Sequence, residues 1–256
     1  MSSNPPTADF RDALYRRYVS TFKGEPGGHG DASVAWWDHK YLPLLDDLDR
    51  AAPLLEVGCG DGQLLAYWQR RGFSHAQGID ISAEQIALAR QRGVRAECAD
   101  VFDWLPAHPD AFAALVAVDV FEHFTRDELL RLVPLVYAAL RPGGRLLLQT
   151  ANGAGLFPGQ VIFGDLTHLS VLTPASLGQL LRPFGFTDLR FYETGPVPIR
   201  LRGKLDLALW RAITFAASTI RRIETGKRQT IWTENVICVA REPQAAYPGL
   251  DVRPHS

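Results

Sequence analysis

The chain has 256 residues, 46% of them apolar and 21% charged, with 27 Lys and Arg against 28 Asp and Glu for a net charge of −1. That balance describes an ordinary globular protein with a sizeable core, and it offers no overall electrostatic case for nucleic acid. Three cysteines, Cys59, Cys98 and Cys238, are odd in number and far apart, which fits neither a disulfide framework nor a zinc site. The opening MSSNPPTADF has no basic start and no apolar run, so no secretory signal is expected and the expected location is cytoplasmic.

Polar or Pro-rich ends, residues 1–8 and 242–256, are expected to be disordered tails around a single domain at 9–241. ADFRDALYRRYVSTF reads as a helix, and SVAWWDHKYLPLLDDL as a second, interrupted near Pro43. A strand at 53–57, a helix at 62–71 and a strand at 75–79 come next. SAEQIALARQR then carries Ser82 as N-cap with Gln85 three residues on. Strands at 94–97 and 112–120, a helix at 126–140 and a strand at 144–150 continue the alternation. Units of this size predict an α/β fold, a doubly wound, mostly parallel sheet with helices on both faces. After Asn152 a long loop leads to a helix with Thr173 as N-cap and Pro174 at its first position. Strands at 186–193 and 230–240 follow, with an apolar helical insertion between them.

LLEVGCGDGQLL, residues 54–65, places Gly58, Gly60 and Gly62 between the first strand and its helix. A P-loop would need Gly-Lys-Ser/Thr, but Gln63 and Leu64 follow the last glycine. A dinucleotide fingerprint would need a third glycine where Gln63 or Leu65 stands. The loop instead carries Glu56 and Asp61, which would repel a pyrophosphate and suit a ligand with a cationic end. Asp80 closes the second strand, where an acid can accept bonds from both ribose hydroxyls. Asp100 follows the third strand and is placed for an exocyclic amine such as that of adenine. Acids in this order at strand ends describe a nucleoside site.

Over residues 40–195 the chain resembles the class I S-adenosylmethionine-dependent methyltransferases. LLEVGCGDG, GIDIS, ADVFDWL, DVFEHF and LRPGGRLLLQTAN carry the resemblance, five motifs in order. It implies a seven-stranded Rossmann-like sheet with the cofactor core at about 40–152 and acceptor-side elements at 9–39 and 153–230. It also implies that Glu56, Gly58, Cys59, Gly60, Asp61 and Gly62 run along the methionine part of S-adenosylmethionine. Asp80 and Ile81 would take the ribose, Asp100 and Val101 the adenine, and the backbone around Asp119 and Val120 the methionine amine.

Methyl transfer needs positioning, water exclusion and, for a hydroxyl acceptor, a base. The candidates are His168 first, then His123, expected from the other side of the cleft, with Asp165 and Glu122. With Asp119 these residues also offer donors for a divalent metal, but no spacing is diagnostic and no metal is expected. The C-terminal half resembles a subgroup associated with bacterial polysaccharide and O-antigen biosynthesis, which implies a sugar or glycan acceptor. The alternatives are a quinone-type or other aromatic hydroxyl, with Trp36, Trp37 and Phe157 as a stacking wall, and a non-catalytic cofactor-binding scaffold. Residues 196–228 hold eight basic side chains against Asp206 and Glu224. The apolar run Leu205 to Ile220 is too short and too charged to span a membrane. Leu209, Trp210, Ile213 and Phe215 are expected to pack on the core or form a homodimer seam, with peripheral membrane contact the alternative.

Overall fold

Alternate side chains of each central strand enter two apolar layers, one on either face of a single sheet. The computed structural model describes residues 31–243. Its seven strands are β1 (Leu54–Val57), β2 (Ala76–Asp80), β3 (Ala96–Cys98), β4 (Phe112–Val118), β5 (Leu140–Ala151), β6 (Thr187–Glu193) and β7 (Asn235–Arg241). They lie in the order β3-β2-β1-β4-β5-β7-β6. All neighbours are parallel except β7, which runs antiparallel to β5 and β6. This is the expected mostly parallel, seven-stranded, Rossmann-like sheet.

The helices are α1 (Asp31–Lys40), α2 (Gln63–Arg70), α3 (Ala83–Gln91), α4 (Val101–Trp104), α5 (Arg126–Ala139), α6 (Gly159–Phe163), α7 (Pro174–Leu181) and α8 (Leu201–Thr225). Leu55, Val57, Leu115 and Ala117 join the cluster that packs against α5 and α7. Leu54, Ala114 and Val116 face the other way, onto Leu64, Leu65 and Trp68 of α2. Burying both faces explains why these strands are apolar without alternation.

Helix starts follow the residues that cap them. Ser82 accepts from Gln85 N, Thr125 and Glu128 form a reciprocal capping box, and so do Thr173 and Ser176. The predicted helix break near Pro43 is a short 3-10 turn, Leu42–Leu44. The helix expected at ADFRDALYRRYVSTF and the tail at 1–8 lie outside the described residues. At the other end the packed chain reaches Glu242, which is buried and exchanges backbone bonds with Gly143 and Gly144. The last strand starts five residues later than the expected 230, because residues 230–234 serve side-chain contacts instead. There Trp232 N donates to Glu193 Oε1 and Asn152 Nδ2 donates to the Thr233 carbonyl.

The expected packing of the C-terminal insertion on the core is met only in part. Of Leu209, Trp210, Ile213 and Phe215, only Trp210 packs on the body; the other three are exposed. The less exposed side of α8 mixes Gly203, Leu207, Trp210, Thr214, Ala217 and Ser218.

Candidate active site

Parallel pairing brings the carboxyl ends of β1, β2 and β4 to one edge, with Val57 opposite both Ile79 and Ala117. Strand order reverses between β1 and β4, the position at which open α/β sheets bind ligands. The glycine loop leaves β1 there. Gly58 has φ +68, and a Cβ on it would come within 2.4 Å of Val120 Cγ2, so only glycine lets the two loops touch. Gly60 has φ +53, and a Cβ on it would meet nothing nearer than Gln85 Oε1 at 3.8 Å. Space lies beside that backbone rather than packing.

The acids divide into different tasks. Asp80 Oδ2 accepts from Gly60 N at 2.9 Å and Oδ1 from Ser82 N at 2.8 Å, which fixes its carboxylate and the glycine loop together. Cys59 contributes through its backbone, N–H to the Ile79 carbonyl, and its thiol is buried. Ile81, beyond Asp80, is an exposed apolar side chain at the rim. Asp100 caps α4, accepting from Phe102 N at 2.8 Å, and Val101 is buried behind it. Asp61, expected to face a cationic ligand, is paired with Arg92 at 2.8 Å and bonded by Gln63 Nε2. That leaves Glu56 as the acid of the loop for such a ligand. It is 4% exposed, and its Oε2 is buried with no hydrogen-bond partner among the described residues. Burial, with the charges of Asp80 and Asp61 added, pushes the Glu56 carboxyl well above the usual carboxylate range.

This arrangement fits S-adenosylmethionine. An orphaned buried carboxyl is suited to an ammonium or sulfonium, and the open flank of Gly60 lets a ligand approach the backbone.

At the end of β4, Asp119 adopts φ +54, a left-handed conformation uncommon for a residue with a side chain. Two residues not expected from the sequence support it. Gln149 Nε2 donates to Asp119 Oδ1 at 3.1 Å, and Tyr41 Oη donates to Gln149 Oε1 at 2.7 Å. Tyr41 is fully buried, and Trp36 stands edge-on to it with ring centroids 5.0 Å apart. Trp37 instead packs on Tyr67, and Phe157 is 73% exposed, so the three do not form one wall. A Gln inside LLLQT was the available signal for this support.

The four candidate bases are brought together, in unequal roles. Glu122 is 2% exposed, accepts from Thr150 Oγ1 at 2.9 Å, and receives Leu169 N and Ser170 N on its carbonyl. It braces the long loop. Asp165 Oδ1 accepts from Thr167 N at 2.8 Å and from Thr167 Oγ1 at 2.6 Å. Thr167 Oγ1 also lies 2.9 Å from His123 Nδ1, so a hydroxyl that donates to Asp165 receives the imidazole N–H. Burial, reinforced by neighbouring His168, lowers the His123 pKa to about 4, and the ring is held neutral. His168 is not across the cleft from it: their rings meet edge-on with centroids 4.8 Å apart. His168 Nδ1 is buried with no partner among the described residues. Among those residues, no group of three or more His, Cys, Asp or Glu is arranged to hold a metal ion.

The sheet order, the glycine loop and the acids at successive strand ends define a class I methyltransferase. A family model described as a methyltransferase domain matches residues 33–190, and the chain belongs to that family of S-adenosylmethionine-dependent enzymes. It is 31% identical over 137 residues to a ubiquinone biosynthesis O-methyltransferase of Xylella fastidiosa, covering 46% of this chain and 54% of that one. It is also 31% identical over 140 residues to a probable fatty acid methyltransferase of Pseudomonas putida, covering 47% and 35%. The chain therefore spans little more than half the length of the first of these curated relatives, and less of the second. In fold it is similar to a SAM-dependent methyltransferase from Archaeoglobus fulgidus, with TM-score 0.63, 17% identity and 90% and 99% of the two chains covered. Human N-acetylserotonin methyltransferase, solved with SAM, gives TM-score 0.57 at 16% identity over 93% and 60%. The polysaccharide subgroup is not shown by these relatives.

Proposed function

We propose that the protein transfers the methyl group of S-adenosylmethionine to a hydroxyl of an aromatic, quinone-type small molecule, with His168 taking the hydroxyl proton. The observation that carries the chemistry is the histidine pair. His123 is held by Thr167, which in turn is bonded to Asp165, whereas His168 offers a buried ring nitrogen without a partner among the described residues. A base within a dry site is what a hydroxyl acceptor needs and what an acceptor without a removable proton would not. The aromatic acceptor is supported by the ubiquinone-pathway relatives and by Trp36, half-buried beside the Tyr41–Gln149–Asp119 support. The sugar acceptor expected from the C-terminal resemblance gains no such support.

In this reading Asp80 holds the ribose hydroxyls, Asp100 and Val101 flank the adenine, and Glu56 balances the positive methionine end. The cofactor supplies a methyl already activated by its sulfonium. As the acceptor oxygen forms its bond to that methyl carbon, the carbon–sulfur electron pair goes to sulfur and the hydroxyl proton passes to His168. Steady-state release of S-adenosylhomocysteine tests the acceptor class, using dihydroxybenzoates against nucleotide sugars and oligosaccharides. Turnover with the aromatic diols alone is expected; turnover with the sugars alone overturns the reading.

A further inference from the structure

Helix α8 runs 25 residues, about 37 Å, and none of them is buried. It touches the rest of the molecule along one narrow stripe. Trp210 Nε1 donates to Glu193 Oε2 at 2.9 Å, and Ser218 Oγ receives Trp232 Nε1 at 2.8 Å. The opposite side is apolar. Leu201, Leu205, Leu209, Ile213, Ile220 and Ile223 are 51–83% exposed and follow one another at helical spacing. A surface helix ordinarily turns its apolar face inward, and this one leaves a second apolar face outward.

Charge lies at the borders of that face. At about 100° per residue, Lys204, Arg211 and Arg222 fall along one edge and Asp206 and Glu224 along the other. Arg202 falls within the apolar arc, in line with Ile220, and pairs with Asp206 of the acidic edge at 3.8 Å. Residues 196–228 carry eight cations against two acids, on a chain whose net charge is −1. A second copy docked antiparallel by a twofold axis would set the cationic edge against itself, and one docked parallel would match only Asp206 and Glu224, leaving most of the eight cations unmatched. An anionic plane meets both features at once: acyl chains take the apolar face while headgroups take the cations. No helix among the described residues is long and apolar enough to cross a membrane.

We propose that α8 lies flat in the surface of an anionic lipid bilayer, its Leu and Ile stripe in the acyl boundary and its Lys and Arg edge among the headgroups. The proposal is independent of the acceptor. It has a consequence for the site, because the segment after α8 is tied to the loop over the histidines. Gln229 Nε2 donates to the Ala154 carbonyl, and Leu156 N donates to the Trp232 carbonyl at 2.9 Å. That loop presents its own exposed Phe157, Phe163 and Leu166.

Vesicle flotation of the full chain is the test, with phosphatidylcholine alone and with added phosphatidylglycerol. The wild type should float with the anionic vesicles and be released as salt rises. Leu209→Glu combined with Ile213→Glu should weaken flotation by about tenfold or more while leaving cofactor binding intact, because both side chains already face outward. Lys204→Glu combined with Arg211→Glu should abolish the preference for anionic lipid. No flotation of the wild type, or flotation indifferent to the Leu209/Ile213 pair, overturns the proposal. So does a lipid-indifferent dimer that the same pair of substitutions dissociates, which would give the face to a second copy.

Discussion

If Glu56 faces the cationic end of the cofactor as proposed, its carboxyl should couple cofactor binding to pH. Its raised pKa means that the ligand-free protein keeps this group protonated beyond the ordinary carboxylate range. A cationic ligand favours the ionised form, so binding should expel a proton, and affinity should rise with pH until the free-protein pKa is passed. Calorimetry of S-adenosylmethionine binding in buffers of different ionisation enthalpy measures this. Proton release is expected in the wild type and its loss in Glu56→Gln; no release in the wild type contradicts the placement of Glu56.

The histidines separate by substitution. His168→Ala should lower turnover by roughly 10²–10⁴-fold with little change in cofactor affinity. Were His123 the base, kcat/KM would climb with pH around its pKa of about 4 and be flat from the mildly acidic range upward. A profile already flat there, with His123→Ala inactive and His168→Ala active, would reverse the assignment.

At the scale of elements, α8 is held by few groups, and Glu193 at the end of β6 is the chief of them. Its Oε2 receives Trp210 of the helix and its Oε1 receives the backbone N–H of Trp232 at 2.8 Å. Glu193→Ala should leave both donors without an acceptor, at about 1–3 kcal/mol. Hydrogen exchange should quicken across residues 201–225 while β1, β4 and β5 keep their protection. Equal acceleration throughout would mean that α8 is part of the cooperative core. The Asp47–Arg145 pair clamps the segment after α1 to β5, and the Arg145 guanidinium lowers the Asp47 pKa to about 2. Its contribution to stability is therefore present above the ordinary Asp range and lost as pH falls toward 2.

Over the whole molecule, the sheet was legible in the chain because its cause is local and repeated. Apolar strands, capping residues such as Ser82, Thr125 and Thr173, and glycines at a strand end each act within a few residues. The acids proposed for the cofactor stood out for the same reason, since Glu56, Asp80 and Asp100 lie at or close to strand ends. Partners distant in sequence were not. Nothing near Asp61 announces Arg92, and nothing near His123 places Thr167 against it, 44 residues on. The outward apolar face of α8 was only half legible for a related reason: an apolar stripe shows that a face wants cover, not what covers it.

The most direct measurement follows the methyl carbon itself. With S-adenosylmethionine carrying a carbon-13 methyl and a dihydroxybenzoate as acceptor, carbon NMR should show the label as an aryl methyl ether, appearing in step with S-adenosylhomocysteine. The signal should vanish in Asp80→Ala at limiting cofactor and in His168→Ala at saturating cofactor. Label that stays on sulfur with every aromatic hydroxyl offered, while a sugar hydroxyl takes it up, would contradict the account.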